Sequence, residues 1–405
     1  MSYSINTLYA FVSQLVRIRA IFAALAFFVC LTAAPSALAL TYTVTTVADS
    51  GAGSLRQAVL DANATADADV IDFNIPAGSC PASVCTITLV SEISIANNGS
   101  LTINGTGARS LIIDGGAGTN RIFYSNAAIF TLSGVTLTGG NGTGGVLFVN
   151  GLGGTIFVNG GTTTISGVYF NANTAALDGG GIYFDGGTNH RVGNSTFSGN
   201  TVDKNGGGIF VLATSLTVVN TTLTGNSAAG VGGGIVATGS GTLTLRGDTI
   251  TANTAVFGGG IYQDTGTLDF GNTIIAGNTG SAFPEIFFAN GTATSQGFNL
   301  VGDSAGDSTD TNTAITYQST DIQNTPPLLD PLGYYGGTTP TRRLQTGSPA
   351  IDKGNSFGLM TDQRGFARPV DNPSITNTGD GSDIGAFESD VFPGRRKKRI
   401  RSPVQ

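Results

Sequence analysis

The chain has 405 residues, of which 61 are glycine, 13 are proline and none is tryptophan, and 11% are charged. Glycine at this level without a G-x-y period excludes collagen, and a hydrophobic content of 40% excludes a disordered chain. Between residues 40 and 394, 26 acidic side chains outnumber 11 basic ones, and this net charge of −15 excludes nucleic acid as a partner because it repels phosphate.

The first 39 residues have the features of an export signal. A basic flank that ends at Arg19 precedes the apolar run 21–31, and Ala37 and Ala39 form a small-x-small cleavage site. The alternative is an uncleaved membrane anchor, but the apolar run is short for a full span. We therefore expect cleavage near Ala39, no membrane span in the mature chain, and a secreted or cell-surface protein.

Residues 40–99 are predicted to form an N-terminal capping segment. Within SLRQAVLDAN, Ser54 occupies a helix N-cap position with Gln57 three residues later, and the apolar residues recur on one helical face. Cys80 and Cys85 are an even pair outside the export signal, so they predict a disulfide that closes a small loop. The alternative, a metal-binding pair, lacks a nearby histidine or further cysteine to complete the site.

A glycine-rich motif, GGGI, recurs through the middle of the chain. Its complete copies begin at Gly179, Gly206, Gly232 and Gly258. They are spaced by 27, 26 and 26 residues, and a degenerate copy, GGTI, begins at Gly153. A fixed period in this range is typical of repeat proteins, in which each unit buries its apolar face against its neighbours. We expect such repeats over residues 100–331.

Three apolar positions recur in each repeat. The first is the isoleucine of the glycine motif, at Ile156, Ile182, Ile209, Ile235 and Ile261. The second opens an apolar-x-x-Asn step, as in FSGN at Phe197, and the third lies five residues earlier, as at Val192. Alternating residues between them predict three short strands per repeat. We therefore predict an all-β fold, a single-stranded parallel β-helix with about 26 residues per coil, an inner isoleucine ladder and a short N-terminal helical cap.

An asparagine ends each apolar-x-x-Asn step, and it predicts a structural ladder. The positions are Asn173, Asn200, Asn226, Asn253 and Asn278. A buried asparagine at a turn bonds both the backbone and the next asparagine along the stack. The alternative, a set of ligand-binding amides, ignores the stacking, so we favour the structural interpretation.

The repeats resemble the GGxI and FxxN elements of polymorphic outer-membrane proteins and, more widely, the right-handed β-helices of the pectin-lyase-like group. SLRQA resembles the capping segment at the start of many exported bacterial β-helix proteins. Residues 332–390 contain LGYYGGTTPTRRLQTGSPAIDKGN, TDQRGFARPVDN and SDIGAFES, and they resemble the C-terminal portion of choice-of-anchor Q proteins. That resemblance implies export to a bacterial envelope and anchoring there. The basic tail, residues 391–405, departs from it, so we expect no C-terminal membrane helix.

Enzymes of the pectin-lyase-like fold need paired carboxylates, or a carboxylate and a base, on adjacent coils of one face. Glycosidase carboxyls lie about 5–9.5 Å apart. Asp185 and Asp264 share a predicted column but lie three coils apart, or about 14 Å. The single histidine, His190, falls in a column of threonine and leucine, which favours an inward or bulge position over a general base. We therefore assign no catalytic residue.

Six charged residues of the C-terminal block allow a catalytic or metal-binding interpretation: Asp352, Asp362, Arg364, Arg368, Asp383 and Glu388. The alternative is a buried network of ion pairs and turns that fixes a C-terminal cap, and we favour it because glycine, proline and alanine surround these charges. A separate acidic loop, GDSAGDSTDTN, offers calcium ligands at Asp303, Asp307 and Asp310, against the alternative of a solvated loop. We predict no other cofactor.

Together these features favour an exported, non-enzymatic protein that serves adhesion or binds carbohydrate through threonine and asparagine on its outer faces. The alternative is a polysaccharide lyase or glycoside hydrolase whose acids come from loops. A third hypothesis is a surface-layer spacer that binds nothing. The expected partners are carbohydrates or other cell-surface ligands, and we expect a monomer.

Overall fold

The computed structural model describes residues 39–96, 99–116, 118, 120–144, 149–304 and 315–389. The predicted export signal, apart from Ala39, and the basic tail lie outside these residues. Three long sheets of parallel strands lie side by side along the solenoid, and a typical coil contributes one strand to each. We call them the motif sheet, the middle sheet and the ladder sheet, in the order in which a coil passes through them.

The described strands divide among these sheets as follows. The motif sheet has eight: Ile93–Ile95, Phe123–Ser125, Ile156–Asn159, Ile182–Asp185, Ile209–Leu212, Ile235–Thr238, Ile261–Gln263 and Ile286–Phe288. The middle sheet has ten: Thr41–Val44, Ala68–Phe73, Ser100–Asn104, Ile129–Ser133, Thr162–Ser166, His190–Gly193, Leu216–Val219, Thr242–Arg246, Thr267–Gly271 and Thr292–Ser295. The ladder sheet has ten: Cys85–Thr88, Leu111–Asp114, Thr136–Thr138, Tyr169–Asn171, Thr196–Ser198, Thr222–Thr224, Thr249–Thr251, Ile274–Ile275, Leu300–Val301 and Ile322–Gln323. A small fourth sheet has three: Thr174–Ala175, Thr201–Val202 and Ser227–Ala228.

The described helices are one α-helix, Leu55–Asn63, and two short 3-10 helices, Ala77–Ser79 and Pro81–Ser83. The Ser54 hydroxyl accepts a hydrogen bond from the backbone N–H of Gln57 at 3.1 Å, as an N-cap residue does. One apolar face of the α-helix is buried against the first strands of the solenoid. This confirms the predicted helical cap. Within the described ranges, no helix is long and apolar enough to cross a membrane.

The strand register aligns the motif isoleucines in one column. Ile156 pairs with Ile182, and the pairing of motif isoleucines continues coil by coil to Ile261. All five isoleucines are fully buried. In the ladder sheet Phe170 pairs with Phe197, and their rings stack inside the solenoid with centroids 4.2 Å apart. Burial of one such side chain contributes about 1.5–3 kcal/mol, and the stack repeats that contribution in each coil.

A second row of aromatic rings lies on the outer face of the motif sheet. The rings of Tyr124, Phe157, Tyr183 and Phe210 stack in sequence, with centroids 5.8, 5.2 and 4.8 Å apart. Apolar residues of neighbouring loops cover the row, and the two central residues, Phe157 and Tyr183, are only 1% and 6% exposed. The row therefore packs loops onto the solenoid and offers no exposed stacking platform.

The coils begin earlier than the predicted boundary at residue 100. Thr41–Val44 and Ala68–Phe73 are already strands of the middle sheet, and the second of them pairs directly with Ser100–Asn104. Residues 40–99 therefore belong to the solenoid as well as to its cap. The sequence pattern missed these coils because they lack the glycine motif.

Cys80 and Cys85 form the predicted disulfide. Cys85 is also the first residue of the ladder-sheet strand Cys85–Thr88, which pairs with Leu111–Asp114. The disulfide therefore attaches the small loop before this strand to the edge of the sheet.

Residues 332–389, called here the C-terminal segment, lie along the side of the solenoid. Leu344 and Phe387 form an apolar cluster with Ile274 and Leu300, which face outward from the ladder sheet. The expectation of a cap at the end of the stack was therefore wrong. Contacts between residues so distant in sequence leave no periodic pattern from which their position follows.

Polar contacts continue this packing across earlier coils. The side-chain amide of Gln363 donates to the hydroxyls of Thr196 and Thr339 at 2.9 and 3.0 Å, and its Oε1 accepts from the hydroxyl of Thr222 at 2.6 Å. The hydroxyl oxygen of Thr249, one coil further, accepts from the N–H of Ala386 at 3.0 Å. The outward threonines of the ladder sheet are therefore buried hydrogen-bonding partners of the C-terminal segment.

The glycine motif allows neighbouring coils to approach closely. A Cβ atom on Gly233 would lie 2.5 Å from the carbonyl oxygen of Gly259 and 2.6 Å from the backbone nitrogen of Thr254. A Cβ on Gly193, in a strand of the middle sheet, would have its nearest neighbour, the carbonyl oxygen of Val219, at 3.7 Å. Alanine substitutions at these two positions therefore separate the effect of a steric clash between coils from the general effect of replacing a glycine.

Gly233→Ala is expected to lower the free energy of unfolding by about 1–3 kcal/mol, because the added methyl group displaces three backbone atoms of the next coil. Gly193→Ala is the matched control and should stay within about 0.5 kcal/mol of the unaltered protein. Urea denaturation followed by circular dichroism measures both variants. Equal unfolding midpoints for the two would contradict the close-contact explanation.

Candidate functional site

The five predicted ladder asparagines lie one above another at the turn that follows the ladder sheet. The Oδ1 atom of Asn200 accepts hydrogen bonds from the backbone nitrogen and the Nδ2 atom of Asn173, at 3.1 and 2.9 Å. Its own Nδ2 donates to Oδ1 of Asn226 at 2.8 Å and to the carbonyl oxygen of Phe170 at 3.1 Å. The pattern continues to Asn278. Neighbouring coils thus use the polar atoms of these side chains, which supports a structural role.

Glu285 ends this ladder. Its Oε2 atom accepts from Nδ2 of Asn278 at 2.7 Å, and its Oε1 atom accepts from the N–H of Gly277 at 2.8 Å. The carboxylate thus takes the place of a further asparagine. Burial, together with the nearby Asp303, raises the pKa of Glu285 to about 7. The repeat pattern does not reveal Glu285, because this residue lies outside the apolar-x-x-Asn step.

A second polar ladder, also missed, lies at the turn between the middle sheet and the ladder sheet. Its fully buried members are Ser195, Thr221, Asp248, Thr273 and Asn299. The backbone N–H of each of the first four members donates to the side-chain oxygen of the member in the next coil, as from Thr221 to Asp248 at 2.8 Å. The members differ in residue type, so no repeated letter in the sequence marks them.

Asp248 is the ionisable member of the second polar ladder. Its Oδ2 atom accepts from the N–H of Arg246 at 2.9 Å, in addition to the bond from Thr221. Burial nevertheless raises the pKa of Asp248 to about 8, so this carboxyl is largely protonated at neutral pH. A raised pKa is one mark of a catalytic acid. The residue is fully buried, however, and its oxygens are bonded to turns of the solenoid.

His190 lies inside the solenoid, in register with Leu216. Its Nδ1 atom accepts from the N–H of Thr163 at 3.2 Å, and its Nε2 atom donates to the carbonyl oxygen of Gly186 at 2.8 Å. Burial lowers the pKa of the imidazole, which keeps it neutral. At 1% exposure the ring has no access to an external substrate, in agreement with the inward position expected from its column.

The two acids of the motif sheet's outer face remain apart. Asp185 pairs with Asn159 on one side and Leu212 on the other. Asp264 accepts a hydrogen bond from the hydroxyl of Thr238 at 3.2 Å. Among the described strands, no register pair joins two acids. The described sheet faces therefore do not build a carboxylate pair of the kind that glycosidases use.

The charged residues of the C-terminal block lie close to one another and are buried. Arg368 Nε donates to Glu388 Oε2 at 2.8 Å, and Arg364 Nε donates to Asp362 Oδ2 at 2.7 Å. The side chains of these two ion pairs are at most 2% exposed. Because a buried charge without a partner is very costly, each pair fixes the local path of the chain.

Asp383 and Glu388 are neighbouring carboxyls within this block. Asp383 accepts from the N–H groups of Asp352 and Ser389 at 2.8 and 2.7 Å, and Glu388 accepts from the N–H of Val370 at 2.7 Å. Burial raises the pKa of Asp383 to about 6 and that of Glu388 to about 7. Their oxygens face backbone donors and arginine, which supports a buried turn network over an active site.

A buried cation outside the predicted set organises an adjoining loop. Arg121 forms an ion pair with Glu92 at 2.5 Å, and its guanidinium donates to the carbonyl oxygens of Gly142 and Leu152 at 2.7 and 3.0 Å. Its side chain is fully buried. The sequence offers no signal for this contact, because the partners lie about 20 to 30 residues away without periodicity.

Of the calcium candidates, Asp303 is described, and Asp307 and Asp310 lie outside the described residues. Across the part of the chain that the structure describes, no group of three or more histidine, cysteine or acidic side chains is placed to hold a metal ion. The described residues therefore offer no metal centre from which to argue a mechanism.

A regular polar array lies on the outer face of the middle sheet. Register pairing aligns its members in one column: Thr102, Thr131, Thr164, Arg191, Thr217, Thr244, Asp269 and Thr294. We call this the threonine column. Each member is partly or fully exposed, and neighbouring members lie about 4.8 Å apart along the stack. Hydroxyl groups both donate and accept, so the column offers repeated hydrogen-bonding positions to a polymer.

The comparison with protein families agrees with this architecture. Residues 154–320 match a family model described as a right handed beta helix region. The solenoid is a right-handed parallel β-helix. It has about nine turns of about 27 residues, which confirms the predicted fold class. Neither a search of curated proteins nor a search of solved structures found a match to this β-helix protein.

Asn226→Ala is expected to lower the free energy of unfolding by about 3–5 kcal/mol. The change leaves several buried groups of the neighbouring coils without partners, and each such group costs about 1–3 kcal/mol. Asn290→Ala, at an exposed asparagine, is the control and should have little effect. Chemical denaturation measures both, and a loss at position 226 no larger than at position 290 would argue against the ladder's structural role.

Stability is expected to fall as pH rises from about 4 to about 8. The native state binds the proton of Asp248 more tightly than the unfolded state does, because burial raises its pKa to about 8. Asp248→Thr, which matches the ladder neighbours, and Asp248→Asn should both reduce this pH dependence. Part of the pH dependence should remain in both variants, because the pKa values of Glu285 and Glu388 are also raised. The measurement is the urea midpoint at pH 5 and pH 8, and an unchanged difference in both variants would refute the assignment.

Proposed function

We propose that the protein is exported to the surface of a bacterial envelope and binds carbohydrate or other cell-surface ligands without chemically altering them. The threonine column is the observation that carries the proposal. It is exposed, in register and built from side chains that both donate and accept hydrogen bonds, as sugar hydroxyls require. Its repeat along the solenoid axis suits an extended polymer or a cell surface.

Export is supported by two independent features. The first 39 residues have the order of an export signal, with a basic flank, an apolar run and a cleavage site. The Cys80–Cys85 disulfide is of the kind that persists in oxidising compartments outside the cytoplasm. The likeness of residues 332–390 to choice-of-anchor Q proteins belongs to the same proposal.

The alternative function is that of a polysaccharide lyase or glycoside hydrolase. It is favoured by the similarity of residues 154–320 to the right-handed β-helix family, which includes pectin-lyase-like proteins. Fold alone does not determine activity. The separation of Asp185 from Asp264 and the burial of His190 and Asp248 favour binding over cleavage.

Purified protein is expected to bind a member of a panel of pectins, alginates and glycosaminoglycans with saturation and without release of reducing ends or unsaturated products. Assays with and without calcium cover the metal-dependent lyases. Turnover lost in Asp185→Asn or Asp264→Asn would overturn the non-enzymatic proposal. If the protein binds no polysaccharide of the panel, the result would favour the surface-layer spacer. Mass spectrometry of the exported chain, expected to start at Leu40, tests export separately.

A further inference from the structure

A groove lies between the threonine column and the C-terminal segment. Its floor is the outer face of the middle sheet at Thr164, Ser166 and Arg191, and its wall is formed by Leu359 and Met360. It spans three coils, or about 10 Å along the stack. Its volume is about 240 Å³, smaller than the about 300–1,000 Å³ pockets that hold drug-sized ligands. The groove therefore suits one ring of a larger chain.

Arg191 is an exposed cation in the floor of this groove. Within the described part of the chain it has neither an ion pair nor a side-chain hydrogen bond. Arg246, on the same sheet face, differs: it is paired with Asp269 at 2.8 Å and lies over the ring of Phe357 at 5.5 Å. The guanidinium of Arg191 is thus available to an external anion, although the folded body is strongly acidic.

The buried acid that interacts with Arg191 does not neutralise its charge. Asp248 interacts electrostatically with it, but burial raises the pKa of Asp248 to about 8. At neutral pH that carboxyl is therefore largely protonated. An anion in the groove meets a net positive charge with five N–H donors in a planar fork, the geometry that suits carboxylate and sulfate oxygens.

The rest of the groove combines hydroxyl and apolar surfaces. Thr164 and Thr217 flank Arg191 in register, and Ser166 lies beside the space that Gly193 leaves open. Met360, 78% exposed, projects at the opposite side. Hydroxyls beside an exposed thioether match a sugar ring, which presents hydroxyl groups at its edge and C–H groups on its face.

We propose that this groove binds an anionic sugar unit of an acidic polysaccharide, with Arg191 contacting its carboxylate or sulfate. Thr164 and Ser166 bond ring hydroxyls, and Leu359 and Met360 pack against the apolar face of the ring. This inference rests on the proposed carbohydrate-binding function and gives it a position and a ligand class. Arg191 is the only basic residue among the described members of the threonine column, so the site forms at one coil and does not repeat along the column.

Titration calorimetry of the full chain with oligogalacturonate, dextran sulfate and neutral dextran tests the proposal. At least one anionic probe is expected to bind, and neutral dextran is not. Arg191→Ala should weaken that binding at least about tenfold, as expected for a lost charged hydrogen bond. Gly193→Val keeps the charge, fills the open space and should weaken binding as well. The two anionic probes distinguish carboxylate from sulfate recognition.

Arg109→Ala is the charge-matched control, since Arg109 is exposed and lies over Tyr334 outside the groove. It should bind as the unaltered protein does, and urea midpoints should show that all variants fold. Equal weakening by Arg109→Ala and Arg191→Ala would overturn the site in favour of diffuse charge attraction. Glycan binding unaffected by Arg191→Ala and Gly193→Val would overturn the site and leave the proposed function standing. Absence of binding to any glycan would overturn both.

Discussion

Hydrogen bonds from one coil to the next at the turns are the constraint on which this fold depends. Turn residues lack the regular strand partners of a sheet, and each buried polar group without a partner costs about 1–3 kcal/mol. The asparagine ladder and the second polar ladder supply those partners once per coil. Because a shift by one residue would break every such bond, the coils stack in one register. The same register aligns the isoleucines inside and the threonine column outside.

Some arginine side chains stabilise the fold through ion pairs, and others are exposed to solvent. Arg121 and Arg368 are fully buried in ion pairs, and Arg246 is neutralised at the surface by Asp269. Arg191 lacks such a partner among the described residues, although it occupies an equivalent sheet face. The C-terminal segment lies beside the unpaired Arg191. It turns the open sheet face there into a groove with an apolar wall. The proposed binding site thus lies where the irregular C-terminal segment meets the regular solenoid.

Columns in which the same residue type recurs can be predicted from the sequence. Positions whose residue type changes from coil to coil cannot. The isoleucine and asparagine columns follow from constant offsets, and the same alignment places His190 inside. The second polar ladder was missed because serine, threonine, aspartate and asparagine replace one another there, although each offers the oxygen that the next N–H needs. Glu285 was missed because it reaches the end of the ladder from another part of the coil. The groove was missed because the position of residues 332–389 depends on contacts more than one hundred residues apart.

The C-terminal segment also limits how this protein can change in evolution. The hydroxyl of Thr339 donates to the carbonyl oxygen of Asn194 at 3.0 Å, and the N–H of Asn355 donates to Oδ1 of Asn272 at 3.1 Å. These contacts span several coils at fixed distances. Duplication or deletion of a coil between them would displace one set by about 4.8 Å, more than a hydrogen bond tolerates. Because Tyr334 of the same segment also lies against Arg109, the number of coils from Arg109 to Asn272 is fixed by the C-terminal segment.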